Sequence, residues 1–121
     1  MASDTRPVES HVLYVGESAK VFCADFQDYA PVANGETLSG PSVSITNGAS
    51  LVTLGSPTVL TADFVDYDRN GETDADKTVP SGKGVKFAVT PGSTRGQCTV
   101  TVLVVCSGGA TEGKQVNFVV K

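Results

Sequence analysis

The sequence predicts an all-β fold. Two features predict it: short apolar runs that alternate or are β-branched, and turn residues that punctuate them at regular intervals. The 121 residues include 13 Gly and six Pro but one Met and no Trp. No window carries an apolar stripe at helical spacing, which argues against a helix bundle. The length suits one domain, since domains run ~100–200 residues. An apolar share of 40% is enough to build a core.

Residues 1–10 are polar, carry Pro7 and show no periodicity, so they read as a flexible N-terminal arm before a domain over 11–121. Ala19–Phe26, Ser42–Thr46, Leu51–Leu54 and Thr58–Val65 are the first candidate strands. Val85–Val89 and Val116–Val120 alternate, each placing two or three large side chains on one face. Gln97–Cys106 is denser in β-branched residues and reads as a central strand buried on both sides. Asn-Gly pairs at 34–35, 47–48 and 70–71 favour tight turns with positive φ. About seven to nine short strands, with turn signals every ~8–12 residues, are the pattern of an Ig-like antiparallel β-sandwich.

Nine basic and 13 acidic residues give a net charge of −4. Between Asp63 and Lys77 lie six acids and two bases, a balance equal to the charge of the whole chain. A net acidic domain gains nothing from a phosphate backbone, so nucleic acid is not an expected partner. Nor is a membrane, because no run approaches the ~18 apolar residues of a span. Met1–Pro7 offers neither an apolar stretch nor a small-residue cleavage site, so no signal peptide is expected.

Ala19-Lys20-Val21-Phe22-Cys23-Ala24-Asp25-Phe26, followed by Gly35-Glu36-Thr37-Leu38-Ser39, resembles the opening of a group of small tailed-phage virion proteins. Those proteins have an apolar first strand ending in Asp-Phe or Asp-Trp, then a Gly-Glu-Thr-Ile/Leu turn. Their closing pattern is similar too: a strand (Gly84–Val89), a Gly-rich turn (Thr90–Gly96), a Thr/Val-rich strand (Gln97–Cys106), a hairpin (Ser107–Gly113) and a final strand (Lys114–Val120). The Asp-rich insertion after Phe64 and the strand-forming text at Leu51–Val65 exceed that pattern. The resemblance implies an Ig-like fold and a non-enzymatic role, that of a capsid decoration (cement) protein that binds and stabilises the assembled head. It implies the major capsid protein as partner, a homo-oligomer on the particle, and location in the virion after synthesis in the host cytoplasm. The alternative is an Ig-like adhesion or recognition module on a phage tail fibre or cell surface, taking carbohydrate or protein through its loops.

The most suggestive chemistry lies in Asp66-Tyr67-Asp68-Arg69-Asn70-Gly71-Glu72-Thr73-Asp74-Ala75-Asp76. It opens as D-x-D-x-N-G, the alternating oxygen ligands and sharp-turn glycine of a calcium loop. Its twelfth position is Lys77, where a bidentate Glu belongs. Two readings stay open. Asp66, Asp68, Asn70, Asp74 and Asp76 hold calcium, or an Asn-Gly turn is flanked by solvated acids. No other cofactor is expected.

Arg6, Pro7, Val8, Val12, Leu13 and Tyr14 are the candidate capsid contacts, because an apolar residue in a polar arm has no core of its own to enter. A disordered arm is the plainer reading. Cys98 and Cys106 share a strand face ~26 Å apart, too far to bridge. Cys23 could reach one of them across a sandwich, but without a secretion signal buried reduced thiols are expected. His11, the one imidazole, has no nucleophile elbow to serve, so no catalysis is expected.

Overall fold

A computed structural model describes residues 9–48, 51–66 and 77–121. The elements, in order, are β1 (Glu9–Leu13), β2 (Lys20–Asp25), α1 (Ala30–Ala33), β3 (Leu38–Asn47), β4 (Val52–Leu54), β5 (Thr58–Val59), β6 (Phe64–Asp66), β7 (Lys77–Val79), β8 (Gly84–Pro91), β9 (Gly96–Cys106) and β10 (Thr111–Val120). The fold is all-β, as the short apolar runs predict, with ten strands among the described residues rather than seven to nine.

Sheet A has the order β1-β10-β9-β3, and sheet B has β2-β8-β4 with β5 also on β8. All pairs are antiparallel except β1 with β10, which run parallel from Glu9↔Val116 to Leu13↔Val120. Glu9 and Ser10, assigned to the arm from their polarity, therefore belong to a strand. A polar residue enters a ladder readily when the long partner strand supplies the apolar contacts.

The period of two decides what lies inside. On β10 it sends Val116, Phe118 and Val120 inward, and on β9 Cys98, Val100, Val102, Val104 and Cys106. On sheet B it sends Phe22 and Ala24 from β2, and Val85, Phe87 and Val89 from β8, to meet them in one cluster. Phe118 crosses the gap, with ring centroids 5.0 Å from Phe22 and 6.5 Å from Phe87, both edge-on. Burying one such ring stabilises the fold by about 2–3 kcal/mol.

Thr58–Val65 breaks into β5 and β6 rather than forming one strand. The first piece joins β8 at Thr58↔Lys86 and the second pairs with β7 at Phe64↔Val79. β6 and β7 lie against the outer side of sheet B, where Cys23, Leu60 and Val79 form a second cluster with Phe64. On β3 the register shifts between Ser39 and Ser42, where Gly40 has φ 56° and Pro41 has no N–H to offer. A bulge with proline blunts this edge strand against further pairing.

Candidate functional site

The arm contacts divide. Arg6, Pro7 and Val8 lie outside the described residues. Leu13 is fully buried in the core and is not available to a capsid. The reason is the parallel ladder with β10, whose alternation turns His11 and Leu13 inward and Val12 outward. Tyr14 follows the strand and is 57% exposed. It overhangs a groove of about 240 Å³ between β1 and β2, lined also by Val12, Glu17, Lys20 and Phe22. The Tyr14 N–H donates to the Glu17 carboxylate at 2.6 Å, and Lys20 pairs with the same carboxylate at 3.0 Å. These two partners, the backbone amide first, hold the Glu17 carboxyl below its ordinary value.

Of the calcium set, Asp68, Asn70, Asp74 and Asp76 lie outside the described residues, and Asp66 is described by its backbone alone. Asp66 pairs with Lys77 at the open end of the β6–β7 ladder, so residues 67–76 join two paired strands. Among the described residues no three His, Cys, Asp or Glu gather as a metal site.

The groups that nucleophilic chemistry would need are inside. His11 is 3% exposed and sits between Phe22 at 4.6 Å and Phe118 at 5.7 Å. Cys23, Cys98 and Cys106 are buried free thiols, and burial pushes the Cys98 and Cys106 thiols up. Glu112 and Glu36 add a smaller push at Cys106. Cys23 faces the second cluster, on the opposite side of β2 from Phe22 and Ala24, which places it away from the other two.

No known family matches this chain, and no curated protein matches it.

The outward side of sheet A is a mostly polar strand face. Thr99 donates to the Asn117 side chain at 2.7 Å, and the Thr46 and Thr101 hydroxyls meet at 3.1 Å. Leu103 and Val105 stand 40% and 38% exposed on the same side. The β-branched run predicts a strand buried on both sides; β9 is central, but among the described residues one of its faces is uncovered. The signal was in the β-branched run, which predicts two covered faces without saying that one chain supplies both covers.

Proposed function

We propose that the protein is a non-enzymatic structural component of a phage particle, a decoration protein that binds and stabilises the assembled head. The observation that carries this is where the reactive side chains sit: the one imidazole, Cys98 and Cys106 are buried between the sheets, and Cys23 is buried in the second cluster on the outer side of sheet B. The resemblance of residues 19–26, 35–39 and 84–120 to small tailed-phage virion proteins supplies the particle. An Ig-like arrangement is supported by the strand order, since β2-β8-β4 facing β10-β9-β3 corresponds to B-E-D facing G-F-C.

Such a protein acts by adhesion. Contacts that only the assembled shell offers stabilise that shell by mass action, and repetition over a symmetric lattice adds avidity. Arg6, Pro7 and Val8, with Val12 and Tyr14, are the contacts proposed for the capsid; Leu13 is withdrawn to the core. The test is co-sedimentation of the purified chain with intact heads, with tails and with cells, each with and without chelator. Pelleting with heads alone, indifferent to chelator, is the expected result. Pelleting with tails or cells, and release by chelator, would instead favour a recognition module with a calcium-stiffened acidic loop.

A further inference from the structure

The Asn-Gly pairs carry a chemistry of their own. The backbone nitrogen that follows an asparagine attacks the side-chain amide carbon, and glycine, with no Cβ, leaves that approach open. The pair at 70–71 lies outside the described residues. The pairs at 34–35 and 47–48 differ at the atom that would attack.

Asn34 and Asn47 are both exposed, and neither side-chain amide is hydrogen-bonded among the described residues. Water therefore reaches both amides, and it is the glycine nitrogen that separates them. The Gly35 N–H donates to the Val32 carbonyl at 3.0 Å, and the Asn34 N–H donates to the Ala30 carbonyl at 3.0 Å. Asn34 is thereby held at φ −88° and ψ 10° as the C-cap of α1. Ring closure there turns the peptide between Asn34 and Gly35 and breaks the bond to Val32. The Gly48 N–H, in contrast, has no hydrogen-bond partner among the described residues. Asn47 is the last residue of β3, and the ladder with β9 shifts register between Ile45 and Asn47. Turning that peptide breaks no hydrogen bond from its nitrogen.

We propose that Asn47 is a site of spontaneous covalent self-modification through a cyclic imide. The Gly48 nitrogen gives its proton to hydroxide and bonds to the Asn47 Cγ. The Cγ–Nδ2 bond breaks, and ammonia leaves with a proton taken from water. A second water opens the ring at one of its two carbonyls, which gives aspartate or isoaspartate. Nothing is oxidised or reduced; the net exchange is one water in and one ammonia out.

The two products act differently on the sandwich. Aspartate adds a negative charge at an exposed position and leaves the backbone as it was. Isoaspartate routes the backbone through the side-chain carbon, which lengthens it by a methylene just before Gly48. That point has no slack, since a Cβ on Gly48 would lie 2.9 Å from the Cys98 Cα and nearer still to the Gln97 carbonyl. The added methylene therefore displaces the end of β3 from β9, with Asn47↔Thr99 the first pair lost. This chemistry is independent of which particle the protein serves.

The test is to hold the full chain for several days in mildly alkaline buffer, folded and in urea, and then to map its peptides. Trypsin with a glutamate-specific protease places Asn34 on residues 21–36, Asn47 on 37–69 and Asn70 on neither. In the folded chain Asn47 is expected to convert at least about fivefold faster than Asn34, the factor that one broken hydrogen bond makes. Urea is expected to bring the two rates together. Asn47→Gln, whose longer side chain closes the ring poorly, is expected to keep fragment 37–69 at its starting mass. Chains with isoaspartate at 47 are expected to melt below the parent, and Asn47→Asp to melt with it. An Asn47 that stays intact in the folded chain, or reacts no faster than Asn34, overturns the proposal. So does a difference in rate that persists in urea, which would place its cause in the neighbouring sequence rather than in the hydrogen bonds. Isoaspartate chains that melt as the parent does overturn the displacement of β3.

Discussion

His11, Phe22 and Phe118 form a three-ring cluster in which each ring fills space between the sheets. Phe118→Ala removes the ring that touches both others, so a loss of about 3–5 kcal/mol is expected from urea unfolding. Gly48 is constrained by backbone instead. It has φ 75°, and a Cβ there would lie 2.9 Å from the Cys98 Cα, with the Gln97 carbonyl nearer still. Gly48→Ala is expected to cost at least about 1 kcal/mol, while the open, positive-φ Gly82 tolerates the same change with a smaller loss. The thiols set an alkaline limit. Cys98 and Cys106 have folded values above the ordinary 9.0, so unfolded chains release these protons first. Their contribution is intact below the ordinary thiol value and is lost as pH rises through the folded ones. Stability measured from pH 8 upward is expected to fall, and Cys98→Val to flatten that fall.

The short helix α1 shows how an element survives without a pattern of its own. Four residues are too few for a stripe, and none was legible in the sequence. It is held by Val32 and Tyr29 in the core, and by the Tyr29 hydroxyl, which donates to the Gly113 carbonyl of β10 at 2.9 Å. Tyr29→Phe keeps the ring and removes the bond, so a loss of about 1 kcal/mol is expected in thermal unfolding. Gly35, with φ 92°, then turns the chain toward β3. The Asn-Gly pairs at 34–35 and 47–48 do supply positive φ at their glycines, but they end a helix and a strand rather than joining two-residue hairpins. The pair at 70–71 lies outside the described residues. Proline at 41 and the β3 bulge leave β3 a poor template for edge pairing.

At the scale of the molecule, the proposed adhesion gives the sandwich and the segment before it separable tasks. Deleting residues 1–8 stops short of β1, so the proposed adhesion predicts loss of head binding with the melting temperature within about 2 °C of the parent, well under the ~4–8 °C shift of a 1 kcal/mol change. Deleting residues 1–13 also removes β1 and the buried Leu13, and several times that shift is expected. Head binding that persists without residues 1–8 would remove the arm from the mechanism. Calcium is tested at the same scale: millimolar metal raises the melting temperature if the acidic segment binds it, and Asp66→Ala abolishes that rise.

The sequence by itself determined the all-β class, the inward residues of β8 and β10, and the burial of the thiols. Those follow from alternation within a few neighbours, which every strand carries locally. It did not reveal β1, whose five residues owe their place to the parallel ladder with β10, a partner more than a hundred residues away in the chain. Nor did it reveal β7 or α1, each too short to carry a period. Only the tertiary structure decided that Leu13 is core and that Val12 faces outward. It alone decided which face of β9 the opposite sheet covers, because a strand's composition records that both sides are suited to burial, and the packing of distant strands settles which side its own chain fills.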